Sequence, residues 1–240
     1  MFCFESKIRY SECDASRKLS PEALLNYFQD CSTFQSETLG VGFDYLIPRN
    51  LVWVLASWQI VIHRMPGMME EVVVGTFPYD FKGFLGSRNF FLKTKDGEML
   101  AEANSFWTLL NFDTMKPAMP TKEHLAPYVI EPKLDMEYAG RKISVGDGGL
   151  VSEPVIVRKQ HLDSNNHVNN GQYINIAGDY LPEGFDIYQI RAEYKKQAHL
   201  GDVFLPYVVT EKDKVVVSLR DENGGVYMNA EFTARNGERK

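Results

Sequence analysis

The feature that most limits what this chain can fold into is that it repeats itself. Asp14 and Asp163 lie 149 residues apart (163 − 14), and the same offset carries Leu19 onto Val168, Asn26 onto Asn175 and Asp30 onto Asp179. At a smaller offset, Asp96-Gly97-Glu98 and the following Ala103-Asn104-Ser105-Phe106 resemble Asn223-Gly224-Gly225 and Ala230-Glu231-Phe232. Two copies that differ by insertions account for both offsets, so the 240 residues form two similar halves rather than one large domain. Between them runs a long connection with Pro117, Pro120, Pro127 and Pro132, then Gly146-Asp147-Gly148-Gly149. The expected division is residues 1–130, a linker over 131–150 and a second repeat over 151–240.

The order of elements is the same in each copy. Pro21 to Leu39 has no internal Pro or Gly and carries Leu24, Phe28, Cys31 and Gln35 on one helical face, with Ser20 as N-cap, Pro21 at the first helical position and Gly40 closing it. Strand-like runs follow at Leu51–His63, Glu71–Tyr79, Ser87–Thr94 and Met99–Asn111, separated by turn residues. In the second copy a strand over Glu153–Gln160 leads through a polar turn at Asp163–Asn166 to a helix over Asn170–Tyr180. Strands at Tyr188–Ala198, Val203–Glu211, Lys214–Arg220 and Val226–Ala234 come next. A helix wrapped by one antiparallel sheet is the hot-dog arrangement, so the expected fold is α+β, a double hot-dog.

Charge and composition narrow the function. Lys and Arg total 26 against 32 Asp and Glu, a net charge of -6, which leaves no global positive field for nucleic acid or an anionic membrane. Cys3, Cys13 and Cys31 have no metal-ligand spacing and fit thiols of a reducing cytosol. Glu5, Lys7 and Arg9 interrupt the N-terminal run where a signal peptide needs apolar residues, and Leu51–Ile62 is shorter than the ~20 residues that span a bilayer. The expectation is a cytoplasmic protein with no metal, no cofactor and no membrane segment.

The densest chemistry lies in His161-Leu162-Asp163-Ser164-Asn165-Asn166-His167-Val168-Asn169-Asn170. Asp163, Asn165 and His167 stand at alternate positions, and an extended chain turns alternate side chains to one side. A helix N-terminus follows, whose N–H groups suit a developing oxyanion. The set fits hydrolysis of an activated acyl group by water, with either Asp163 or His167 as general base. Asp and Asn are also ordinary turn and cap residues. The first copy keeps Asp14 but has Ser16 and Lys18 in place of Asn165 and His167, which points to a catalytic half and a substrate-holding half.

Nearly the whole chain resembles the acyl-acyl carrier protein (acyl-ACP) thioesterases of plant plastids and bacteria. The resemblance is carried by Arg49-Asn50-Leu51-Val52-Trp53-Val54, Gln59-Ile60-Val61-Ile62, Glu102-Ala103-Asn104-Ser105-Phe106-Trp107 and Ala192-Glu193-Tyr194-Lys195-Lys196. Above all it is carried by Asp163-x-Asn165-x-His167-Val168-Asn169-Asn170 with Tyr173. It implies that Asp163, Asn165 and His167 are catalytic, that the N-terminal repeat lines the acyl pocket, and that the substrate is an acyl chain on the phosphopantetheine arm of acyl carrier protein. Plant members continue the basic pair with a catalytic Glu and a Cys; here Gln197 and Ala198 stand there. Gln197 can support the site by hydrogen bonds but cannot take a proton at neutral pH, so the base role falls to Asp163 or His167. The preferred assignment gives Asp163 the attacking water, Asn165 its orientation, and His167 polarisation or leaving-group protonation.

An acidic carrier needs a cationic strip, for which Lys195 and Lys196 are the candidates, with Arg158, Lys159, Arg141 and Lys142 in support. An acyl-CoA thioesterase and a non-catalytic acyl-binding regulator remain as alternatives on the same fold. A hydratase is disfavoured by the four-residue spacing of Asp163 and His167 (167 − 163). Exposed sheet edges leave a homodimer open.

Overall fold

The computed structural model describes residues 1–235. The chain separates into two compact units, Met1–Trp58 with His63–Tyr138, and Gln59–Ile62 with Ala139 onward. In chain order the strands are β1 (Phe2–Lys7), β2 (Leu51–Ile62), β3 (Glu71–Lys82), β4 (Leu85–Thr94), β5 (Met99–Asn111), β6 (Lys116–Pro117), β7 (Leu150–Val151), β8 (Val155–Ile156), β9 (Ile187–Tyr194), β10 (Val203–Thr210), β11 (Lys214–Arg220) and β12 (Val226–Ala234). The α-helices are α1 (Pro21–Thr38), α2 (Phe43–Leu46), α3 (Lys122–Leu125) and α4 (Asn170–Gly178). Among the described residues no helix is long and apolar enough to cross a membrane.

The first unit orders its strands β1-β3-β4-β5-β2 and the second β7-β10-β11-β12-β9. Chain order within each is therefore equivalent: β7 stands for β1, β10 for β3, β11 for β4, β12 for β5 and β9 for β2. Each unit is a hot-dog. Ser20 caps α1 by accepting the Ala23 N–H, with Pro21 at the first helical position, as the Ser-Pro pair dictates.

In a strand, every second side chain faces the helix. In the first unit this face carries Thr76, Phe90 and Ala103 in one row of the register, and the Phe90 ring lies 5.4 Å from Phe28 of α1 and 4.8 Å from Trp58. In the second unit the face carries Val208, Val217 and Ala230 in one row, and Tyr173 of α4 packs 5.5 Å from Phe204 and 5.7 Å from Tyr194. Tyr27, Phe28 and Trp58 are buried core.

The connection lies on the opposite faces of the sheets. Tyr138 Oη and the Leu134 N–H donate to Asn89 Oδ1 in the first unit. In the second, Ile143 and Val145 pack with Val209, Val216 and Tyr207, and Arg191 Nη2 donates to the carbonyls of Gly140 and Lys142.

Three local expectations need correction. The strand expected over Glu153–Gln160 reduces to β8, because Pro154 has no N–H to pair and the chain winds into a 3-10 turn at Lys159–His161. α4 ends at Gly178, two residues before Tyr180. β9 ends at Tyr194 rather than Ala198, because the N–H groups of Lys195 and Lys196 both donate to the Tyr227 carbonyl, at 2.9 and 3.2 Å. Gln197 thus lies beyond the strand.

Candidate active site

Residues 163–167 form a closed turn, not the extended segment that alternation suggested. The Asp163 N–H donates to the His167 carbonyl at 2.8 Å, the Asn166 N–H to the Asp163 carbonyl at 3.1 Å, and Leu162 and Val168 pair as a bridge. Asn166 takes φ +60°, a left-handed conformation that asparagine tolerates better than most residues. Asp163 Oδ1 holds the turn from inside, accepting the N–H groups of Asn165 at 2.8 Å and His167 at 3.4 Å.

The first unit builds the same turn from different residues. The Asp14 N–H donates to the Lys18 carbonyl, the Arg17 N–H to Asp14, Arg17 has φ +62°, and Cys13 bridges Leu19. Asp14 Oδ1 accepts the N–H groups of Ser16 and Lys18 at 2.8 and 3.1 Å. The carboxylate at this position therefore has one task common to both units, which is to close the turn. What differs is what the turn displays. Ser16 Oγ spends its hydrogen on Asp14 Oδ1 at 2.6 Å, whereas the Asn165 amide is exposed and has no hydrogen-bond partner among the described residues.

His167 is half-buried, and its ring meets that of His199 edge to face at 4.7 Å. Burial, and next the charge of His199, hold its pKa below the ordinary 6.5, while the Asp163 carboxylate pulls the other way. The imidazole is accordingly neutral near pH 7 and has a nitrogen able to accept a proton. His199 reaches it because the chain after β9 returns to the turn: the Val168 N–H donates to the Ala198 carbonyl at 2.9 Å, and the Ala198 N–H donates to Tyr173 Oη at 2.9 Å. The His199 N–H is fixed by Asp202 Oδ2 at 2.9 Å, and its Nδ1 lies 3.9 Å from the same oxygen. Sequence reasoning missed His199 and Asp202; their signal is a His and an Asp three apart just past the basic pair.

The N-terminus of α4 is less available to an oxyanion than expected. Asn169 Oδ1 takes the Gly171 N–H at 2.7 Å, and the Asn169 carbonyl takes those of Gln172 and Tyr173. Gln197 is half-buried with no hydrogen-bond partner among the described residues. Lys195 Nζ lies 3.5 Å from Glu193 Oε2, and Lys196 Nζ lies 3.2 Å from Asp221 Oδ2 and 4.5 Å over the Tyr227 ring. Both ammonium groups are thus largely answered by nearby acids. Exposed Arg158 and Lys159 form no ion pair with a described residue. Among the described residues no cluster of His, Cys, Asp and Glu has the geometry of a metal site, and burial pushes the Cys31 thiol up to about 12, out of reach of nucleophilic use.

Known proteins of this architecture include an acyl-ACP thioesterase from Bacteroides thetaiotaomicron (TM-score 0.89, 21% identity, 97% of each chain). Another is the 12:0-ACP thioesterase from Umbellularia californica (TM-score 0.82, 21% identity, 98% of this chain and 96% of that one). In sequence, the chain is 27% identical over 236 residues to the chloroplastic acyl-[acyl-carrier-protein] hydrolase FATB1 of Cuphea viscosissima, covering 91% of this chain and 54% of that protein. It is 29% identical over 191 residues to the chloroplastic palmitoyl-acyl carrier protein thioesterase of Arabidopsis thaliana, covering 74% and 46%. The chain spans about half the length of the curated relatives it matches. The family model of the acyl-ACP thioesterase N-terminal domain matches residues 1–128, and that of the C-terminal domain matches residues 150–237. With a domain model matched in each half, the chain belongs to the acyl-ACP thioesterase family.

Proposed function

We propose that the chain hydrolyses the thioester of a fatty acyl chain carried on acyl carrier protein, releasing the free fatty acid and the carrier thiol, and so ends fatty acid synthesis. The observation that carries this reading is the half-buried His167, its pKa held below the ordinary value, on the same turn as the unspent Asn165 amide, where the twin turn of the first unit has Lys18 and Ser16. His167 takes a proton from water as the water oxygen bonds to the thioester carbon. Asn165 Nδ2 donates to the oxyanion that forms. On collapse the C–S bond breaks, and the departing sulfur takes the proton back from His167. Asp163 closes the turn and supports the positive charge on the imidazolium. His199, with Asp202 behind it, sets the imidazole's orientation and basicity. Gln197, which cannot accept a proton, contributes contact and not base catalysis.

In this reading the repeat of residues 1–130 lodges the acyl chain and that of 151–240 carries the chemistry, with 131–150 as connection. The acidic carrier docks on basic residues of the second repeat. Arg158 and Lys159 contribute more than Lys195 and Lys196, whose charges are already answered. The protein works without metal or cofactor, and in the cytoplasm. The deciding experiment is turnover of a chain-length series presented on acyl carrier protein and on CoA, side by side. Preference for the carrier is expected. Preference for CoA would make the chain an acyl-CoA thioesterase, and binding without turnover on either would make it an acyl-binding regulator.

A further inference from the structure

Arg88 of β4 is a charged group in the interior of the first unit that ordinary packing does not account for. By the alternation of β4 it shares the helix-facing side with Phe90 and Leu92, and only 7% of it is exposed. Its Nη1 donates to Gln35 Oε1 of α1 and, at 3.2 Å, to Thr76 Oγ1 of β3, and the guanidinium lies 5.7 Å from the Tyr128 ring. Among the described residues it forms no ion pair, and Nε and Nη2 donate to nothing. Those atoms are not sealed in. Among the described residues the fully enclosed side-chain polar atoms without partners are Trp58 Nε1, His124 Nδ1 and Asn229 Oδ1, and no atom of Arg88 is among them. The unspent edge of the guanidinium therefore keeps some exposed surface.

Leaving a buried cation without a counter-charge is strongly unfavourable, and arginine cannot escape by losing its proton. The fold itself does not ask for a charge here. Counted from the bulged end of each strand pair, Leu92, Phe90 and Arg88 stand where Leu219, Val217 and Val215 stand in the second unit. Ser105 opposite Arg88 stands where Phe232 does. Val215 and Phe232 fill the same place with apolar atoms and no exposed surface.

We infer that the interior of the first unit holds a binding site for a carboxylate carried by an aliphatic chain, with the Nε and Nη2 edge of Arg88 as its reader. Two sources share that chemistry, the carboxylate of a free fatty acid and the distal carboxylate of a dicarboxylic acyl chain. The fork geometry of guanidinium and carboxylate suits either. The inference rests on the reading that this unit lodges the acyl chain, but its test needs no turnover. A chain that binds as described and hydrolyses nothing would overturn the hydrolase reading and leave this one standing.

The test is calorimetric titration of the full chain with octanoate, methyl octanoate and octanedioic acid monomethyl ester. Binding of at least one carboxylate probe about 10–100-fold tighter than methyl octanoate is expected. The free acid identifies a fatty acid as the source, and the monoester a distal carboxylate. In Arg88→Met the preference should vanish. Gln35→Glu, which offers Nη1 an internal carboxylate, should raise the melting temperature and abolish the preference as well, and it covers the case in which Arg88→Met does not fold. Equal affinity for all three probes in the native chain, or a preference that survives either variant in folded form, would overturn the inference.

Discussion

The two units share strand order, helix placement and the carboxylate-closed turn, yet they diverge at two places. On the turn, Ser16 and Lys18 of the first unit stand at the positions that Asn165 and His167 hold in the second. In the interior, Arg88 and Ser105 of the first stand at the positions that Val215 and Phe232 hold in the second. What is common belongs to the fold, and what differs is where function can reside. The comparison bears on Asp163 in particular. It occupies the most conspicuous place in the reactive string, but Asp14 makes the same backbone hydrogen bonds in a turn that has no imidazole.

The largest effect should come from breaking the asymmetry of the turn. His167→Ala is expected to lower kcat by on the order of 10²–10⁴, measured on acyl carrier protein substrate, while Lys18→Ala leaves kcat near the native value. Comparable losses in both would dissolve the division of labour.

Next, the shared role of the turn carboxylates can be weighed by denaturant unfolding. Asp14→Ala and Asp163→Ala should each cost about 1 kcal/mol, the usual worth of a side-chain cap on backbone N–H groups. A cost at Asp14 alone, or at Asp163 alone, would show that the two turns are not equivalent.

The pH profile sharpens the contrast further. Because burial and His199 both depress the His167 pKa, kcat/KM should fall only as pH drops below the ordinary histidine value of 6.5. His199→Ala removes a repelling charge and part of the cover, so the acid limb should move to higher pH. A limb that stays, or moves lower, would remove His199 from the site.

The smallest effect concerns the carrier. Reversing Lys195 and Lys196 to Glu should alter the salt dependence of kcat/KM less than reversing Arg158 and Lys159, because each of the first pair already has an acidic neighbour. The opposite ranking would return docking to the Lys pair.

Local signals made much of the fold legible. Ser20-Pro21 and Gly40 bracket α1, and turn residues around Lys214–Arg220 and Val226–Ala234 delimit β11 and β12 at their observed ends. Legibility failed where distant contacts decide. β9 stops at Tyr194 because two consecutive N–H groups find the Tyr227 carbonyl across the sheet. The turn at 163–167 reads as extended only if Asn166 is overlooked, since an Asn three residues after an Asp is a left-handed turn signal. Asp163, Asn165 and His167 stood out by residue type and spacing. His199 did not, because its place beside His167 depends on the return of the chain from Ala198 to Val168. Arg88 had a readable signature, an arginine in phase with Phe90 and Leu92 on the inward face of a strand, but arginine is so often exposed that phase alone carries little weight.

The central claim is that His167 takes the proton and Asp163 shapes the turn. Asp163→Asn keeps an oxygen that can accept the Asn165 and His167 N–H groups but cannot act as a base. Its kcat on acyl carrier protein substrate should remain within about tenfold of native, whereas His167→Ala falls by on the order of 10²–10⁴. A loss of that second size in folded Asp163→Asn, with His167→Ala left nearly active, would contradict the account.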